Sequence, residues 1–273
     1  MPPIEDLVLF TLALLVAGGA SGVLAGMFGI GGGAILVPVF FQVFGLFGVD
    51  DAVRMHLSVG TSIAVIVPTS LRSYFGHRKH NMVDEKLLRL WAVAVPLGTF
   101  LAAAIAAFSS SEALRAIFAC IAVLVGLRML FNRAHWKLGS DLPGKVWTWI
   151  AGVVIGVLSG LMGIGGGILC NTFMTVFGRP VHQAVATSAG VGVLISIPGL
   201  FGYIVAGWGV EDLPIASTGY INWIAAAIVM PVSLLAAPAG VTIAHKMTKR
   251  QLEVGFGIFL MVVAARFFIS LAE

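Results

Sequence analysis

Two glycine clusters carry the first chemical signal. Gly31, Gly32 and Gly33 close a G-I-G-G-G run that begins at Gly29, and Gly165, Gly166 and Gly167 close the same run beginning at Gly163. Glycine lacks a Cβ, so its backbone takes positive φ and lets a ligand or another helix come close. Where such a break precedes a helix, the first N–H groups have no carbonyl partner and lie at the positive end of the helix dipole. A small anion is the natural occupant. Each such contact is worth about 0.3–1 kcal/mol, rising to about 2 when partly buried, so several donors must act together. The same glycines also suit a plain packing role, since small residues let membrane helices approach closely.

The second signal is H-x-x-V-x-T-S, present as His56, Val59, Thr61 and Ser62 and again as His182, Val185, Thr187 and Ser188. Hydroxyls of this kind cap a broken turn or donate to an oxyanion. His56 and His182 are candidate proton carriers, because a free imidazole titrates near pH 6.5; the alternative is that they are polar anchors at the membrane interface. Helical spacing separates His56 from Thr61, five residues on. Ser58, Ser62, Thr69 and Arg72 share one face instead, so three hydroxyls lead to a cation in the outline of an anion path. The second half has Pro198 and Gly199 where the first nears Arg72, so that charge is not duplicated. Asn171, just past the second break, is suited to fixing a ligand or satisfying a carbonyl that the break frees.

Composition identifies the elements that must hold these residues. Mean hydropathy is +1.03; 59% of residues are hydrophobic and 10% are charged, against about 25% charged in a soluble domain. Apolar runs fall at about 7–27, 33–47, 55–76, 87–108, 113–131, 146–163, 166–178, 183–206, 220–244 and 252–271, and many reach the roughly 20 residues that span hydrocarbon. This predicts an all-α polytopic membrane protein with the lipid bilayer as its surroundings. The excess of 16 Lys and Arg over 12 Asp and Glu then reports loop orientation, not nucleic-acid binding. The start, MPPIEDLVLF, has no basic region and no small-residue cleavage site, so the first run is expected to stay as a helix. Cys120 and Cys170 sit in apolar segments without a CxxC or disulfide pattern and are expected as small buried hydrophobes.

The chain repeats itself. The glycine runs lie 134 residues apart (29 to 163), as do Gly22-Val23-Leu24 and Gly156-Val157-Leu158; the histidine elements lie 126 apart (56 to 182). Pro96 has its counterpart in Pro231, and Leu114, Phe118 and Arg128 align with Leu252, Phe256 and Arg266. Matches in one order mark an internal duplication, with repeats over 1–135 and 136–273. Basic loops around 76–89, 132–145 and 245–251 are placed in the cytoplasm by the positive-inside rule, and the 109–112 and 207–219 connections outside. An odd number of crossings then separates 132–145 from 207–219. Either all three intervening runs cross, or the G-I-G-G-G pair forms a hairpin; in both cases the repeats are inverted, with short or broken helices after each glycine motif. Inverted repeats with interrupted helices place a substrate site between the halves.

No acidic residue lies well inside a span, which favours a neutral or anionic substrate over a cation carried by carboxylates. Arg128 and Arg266 lie toward helix ends and are expected to snorkel to the interface. No metal cluster, nucleotide loop or nucleophile–base pair is visible, so neither a cofactor nor an enzymatic activity is expected.

With the paired G-x-G-G-G, the V-x-T-S that opens a helix and the basic HRKHNMVDEKLL loop, the chain resembles the TauE/SafE sulfite-exporter family over nearly its whole length. The resemblance implies an inner-membrane, multi-pass secondary transporter that exports or exchanges a small sulfur-containing anion such as sulfite, sulfoacetate or a related sulfonate. The expected site is lined by the glycines Gly31–Gly33 and Gly165–Gly167, with Ser58, Thr61, Ser62, Asn171, Thr187 and Ser188, while Arg72 supplies attraction from the cytoplasmic side. A passive anion channel and a membrane-embedded enzyme or assembly factor are the competing classes, and a homo-oligomer is compatible with either. The halves are not equivalent at the site: Leu36-Val37-Pro38 follows the first break where Cys170-Asn171-Thr172 follows the second.

Overall fold

The computed structural model describes residues 4–28, 33–131, 139–211 and 213–272. They form helices α1 (Ile4–Phe28), α2 (Gly33–Leu46), α3 (Asp51–Lys79), α4 (Glu85–Phe108), α5 (Ser111–Phe131), α6 (Lys145–Met162), α7 (Gly167–Val176), α8 (Val181–Ala206), α9 (Trp223–His245) and α10 (Lys249–Ala272). These follow the ten apolar runs. Among the described residues, 7 helices are long and apolar enough to cross a membrane. A feature that hydropathy does not reveal lies before α9, where β1 (Ser217–Thr218) and β2 (Ile221–Asn222) form a two-stranded antiparallel hairpin.

Caps fix several helix starts. The Asp50 carboxylate accepts the Ala52 N–H at 2.8 Å ahead of α3, and Asp84 accepts the Leu87 N–H at 3.1 Å ahead of α4. Asn222 does the same for α9, its Oδ1 accepting the Ala225 N–H at 2.9 Å. Each satisfies an amide that the first turn leaves without a partner. Helix α3 also carries Asp51 in its first turn and His77, Arg78 and Lys79 in its last, the arrangement the helix dipole favours.

Two helices are too short to cross. At about 1.5 Å per residue, α7 spans about 15 Å and α2 about 21 Å, against roughly 30 Å of hydrocarbon. Each turns back instead. Arg179, just past α7, pairs with Asp141 at 2.8 Å, ahead of α6. The Phe47 ring, past α2, meets Phe10 of α1 edge to face at 4.5 Å. Of the two arrangements the spacing allowed, α1–α2 and α6–α7 are therefore hairpins that return to the end they left.

Glycine decides which helices touch, because apolar burial gives no drive between helices already in lipid and close van der Waals packing must supply it. On α6, Gly152 faces Trp91 and Ala94, Gly156 faces the Val95 carbonyl, and Gly160 faces Ala102, so α6 runs parallel to α4. On α1, Gly18 rests on Val229 and Gly22 on Ser233, so α1 runs parallel to α9. Helices α5 and α10 are antiparallel, with Phe118 against Phe267 at 5.2 Å and Gly126 against Gly257. At the centre α3 and α8 cross, also antiparallel: Gly199 packs on Ile63, and the Ser70 and Ser196 hydroxyls meet at 3.3 Å. Large buried side chains keep their polar tips satisfied. The Trp91 indole donates to the Thr148 carbonyl at 2.7 Å and the Tyr203 hydroxyl to the Gly160 carbonyl at 3.0 Å. Exposed Leu12, Val16, Val93, Phe100, Leu124 and Val262 lie on the outer helices, as a lipid-facing surface requires.

Candidate functional site

Helix α6 ends in a Schellman motif. Gly163 takes φ +62°; its N–H reaches the Gly160 carbonyl at 3.4 Å and the Ile164 N–H reaches the Ser159 carbonyl at 3.0 Å. This is the left-handed cap at which glycine is favoured. Gly166 is also left-handed, at φ +71°, and immediately precedes α7. Two glycines of the second run thus have positive φ, one closing α6 and one opening α7. The Cys170 N–H bonds the Gly166 carbonyl at 2.9 Å; the N–H groups of Gly167, Ile168 and Leu169 precede it and have no carbonyl four residues back within the helix. Residues 163–167 are buried throughout.

The first hairpin meets this break directly. A methyl group built on Gly33 would stand 2.3 Å from the Gly163 carbonyl oxygen and 2.8 Å from Ile164 Cα. Gly163 in turn lies against Val37 and the Val59 backbone, Gly166 against Val191 and Ile195, and Gly192 against the Gly165 carbonyl. The hairpin tips are therefore pressed together over the crossing of α3 and α8. Ser62 fastens the contact, its hydroxyl donating to the Gly163 carbonyl at 2.9 Å. Ser62→Ala is expected to destabilise the protein by about 1–3 kcal/mol, because it removes a donor from a buried carbonyl. The check is a lowered thermal midpoint in detergent, with Ser58→Ala, whose hydroxyl bonds only within its own helix, moving it less.

The structure thus brings together Gly33, Ser62, Gly165, Gly166 and Gly167. Gly31 and Gly32 lie outside the described residues. Ser58 and Ser188 are buried, but their hydroxyls donate to carbonyls of their own helices, Arg54 at 2.7 Å and Val185 at 2.7 Å. Thr69 does likewise to Val65 and Ile66, so the stripe from Ser58 to Arg72 does not present a row of free donors. Arg72 is exposed near the far end of α3, away from the hairpin tips.

Thr61 and Thr187 grip the other half of the chain. Thr61 Oγ1 accepts the Asn222 N–H at 3.0 Å, and Thr187 Oγ1 accepts the Asp84 N–H at 2.9 Å. Each threonine of a central helix thereby holds the residue that caps a helix of the opposite half. The two histidines part company. His56 is buried, stacked on Tyr220 at 4.7 Å, with Nε2 at 3.0 Å from the Ala106 and Ser109 carbonyls at the end of α4. His182 is exposed at the start of α8. Asn171 is half-buried one turn along α7, and its Oδ1 has no hydrogen-bond partner among the described residues.

Several polar residues here escaped the motif reading. Ser70 and Ser196 are 126 residues apart, the offset of the histidine element, so that spacing extended along α3 finds them. Arg128 does not reach an interface on its own; its guanidinium donates to the Thr172 hydroxyl on α7. Ser159, at the last turn of α6, is buried with no partner for its hydroxyl among the described residues. The second half alone has a hydroxyl here, since Ala25 stands 134 residues earlier, so no repeat pattern marks it.

Broken hairpins that meet tip to tip inside a bundle of membrane-length helices are the build of a multi-pass membrane transporter. The family described as Sulfite exporter TauE/SafE matches residues 14–267, and the chain belongs to that family. A probable membrane transporter protein of Haemophilus influenzae is 32% identical over 261 residues, covering 96% of this chain and 99% of its own. One from Methanocaldococcus jannaschii is 31% identical over 262 residues, with 95% of each chain covered. A third, from Bacillus subtilis, is 25% identical over 272 residues, covering 93% of this chain and 95% of its own. Family and relatives alike are named as transporters and not as enzymes. No solved structure matches the chain.

Proposed function

We propose that the protein is a secondary transporter that exports or exchanges a small sulfur-containing anion, of the sulfite or sulfonate type, by alternating access. In this reading residues 1–135 and 136–273 are inverted repeats in the cell's inner membrane, with the basic loops in the cytoplasm. The observation that carries it is the contact of the two glycine breaks over the α3–α8 crossing. A site between duplicated halves is where rocking of one half against the other exposes a substrate first to one side and then to the other.

The helix pairing supports the inversion. If α1 corresponds to α6 and α4 to α9, then α1 on α9 and α6 on α4 are the same contact made twice, both parallel. The pairs that match a helix with its own counterpart, α3 with α8 and α5 with α10, are antiparallel, as a two-fold axis in the membrane plane requires. The paired caps at Thr61 and Thr187 follow the same exchange. An anion is favoured by the N-terminus of α7 and by the lack of any acidic residue well inside a span. The sulfur chemistry rests on the family to which the chain belongs.

Purified protein in liposomes is expected to take up labelled sulfite above protein-free controls, and faster when unlabelled sulfite is loaded on the opposite side. No uptake above the control refutes the reading. Uptake without trans-stimulation assigns the protein to channels instead.

A further inference from the structure

We infer that Ser159, with the first turn of α7, forms a single anion-binding site that admits singly charged anions and rejects doubly charged ones. The inference rests on the transport reading above and names the charge class and the binding hydroxyl of that site. Ser159 is 1% exposed, and its Oγ has no hydrogen-bond partner among the described residues. It faces the start of α7, lying 3.6 Å from the position a Cβ would take on Gly166. A buried hydroxyl without a partner is costly to maintain unless something accepts its proton. The N–H groups of Gly167, Ile168 and Leu169 open the same helix, whose first helical bond is made by Cys170. Donors of two kinds thus converge on one small cleft, and α7 has 10 residues of dipole behind it.

The walls of that cleft determine which anion fits. Beyond Ser159 they are apolar, with Val125 from α5, Leu260 from α10, and Ile164, Ile168 and Leu169 from the break and α7. No cation lines it. Arg128 stands one turn on from Val125, and its guanidinium is engaged by the Thr172 hydroxyl. Neutral donors in apolar surroundings must therefore carry the whole charge. The Born cost of leaving water grows with the square of the charge, so a dianion costs roughly fourfold what a monoanion of similar size does. The Ala25 counterpart in the first half supplies no hydroxyl, so the chain has one such site and not two.

The test is labelled-sulfite uptake into proteoliposomes by the full-length protein, with unlabelled methanesulfonate or sulfate as competitors at equal concentration. Methanesulfonate is expected to inhibit and sulfate to leave uptake unchanged. Ser159→Ala is expected to raise the half-saturating concentration about tenfold, the loss of one hydrogen bond to a charged group. Ser159→Thr, which keeps the hydroxyl, is expected to stay close to wild type. If Ser159→Ala does not elute as a folded protein, Ser159→Cys keeps the volume with a weaker donor and is expected to show the same rise. Wild-type uptake with an unchanged half-saturation in these variants overturns the inference and leaves the transport reading standing, as does inhibition by sulfate equal to that by methanesulfonate. Absence of wild-type uptake overturns both.

Discussion

Gly33→Ala is expected to cut sulfite uptake at least about tenfold and to lower the thermal midpoint by an amount that reflects about 1–3 kcal/mol of overpacking. The new methyl group would stand 2.3 Å from the Gly163 carbonyl oxygen and 2.8 Å from Ile164 Cα. Both are backbone atoms, so no side-chain rotation clears the space. Ile66 Cδ1, at 2.6 Å, could swing aside, but the carbonyl could move only by opening the α6 cap or by parting the hairpins. Helix propensity alone favours alanine over glycine by about 1 kcal/mol, so the sign of the effect separates contact from propensity. Gly76→Ala is the matched control. It lies on α3 with nothing within 4 Å of the added methyl group, and it is expected to be neutral or slightly stabilising. Equal behaviour of the two variants would show that the hairpin tips do not meet.

Asp51→Ala is expected to cost about 2–3 kcal/mol, less than the 3–5 kcal/mol of a fully buried pair because the carboxylate is half exposed. Asp51 pairs with Arg115 at 2.5 Å and with Arg54 at 3.1 Å. The Arg115 side chain is only 5% exposed. Without the carboxylate it keeps the Ser270 carbonyl at 3.1 Å and the face of Phe41 at 5.4 Å. Arg54 stands over the same ring at 5.3 Å, so two cations would crowd one aromatic with no anion between them. The double variant Asp51→Ala, Arg115→Met is expected to recover more than half of the loss, because removing both partners also removes the stranded charge. Thermal unfolding in detergent measures both; failure to recover would place the cost in the α3 start and not in the ion pair.

Much of the fold was legible because membrane helices write themselves in long apolar runs, and glycine-rich breaks write themselves as interruptions. The short α2 and α7 were visible as short runs, and their return follows from a length that cannot span hydrocarbon. Hydropathy could not show the β1–β2 hairpin, whose strands have two residues each. The site was legible only in its backbone part. Spacing places a hydroxyl on a helix face but does not tell whether its proton is already spent, and Ser58, Thr69 and Ser188 all bond their own helices. Thr61 and Thr187 looked like ligand donors, yet each accepts an amide proton from a cap more than 100 residues away. Arg72 shares a face with Ser62, but α3 outruns the packed centre and leaves that arginine exposed. Ser159 was invisible because duplication was the filter, and the residue has no twin.

The exchange of partners between halves also sets the order in which the protein can be completed. Gly18 and Gly22 of α1 fit the backbone of α9 at Val229 and Ser233, 211 residues downstream (18 to 229). At roughly 5–20 residues per second of synthesis, α1 waits about 10–40 s in the bilayer before its partner exists. Helix α4 meets α6 much sooner, because Gly98 and Val153 are only 55 residues apart (98 to 153). The first helix inserted is therefore among the last to be locked. Its glycine groove stays open to lipid and to quality-control proteases through most of the protein's birth, and a chain halted before α9 leaves that groove unfilled.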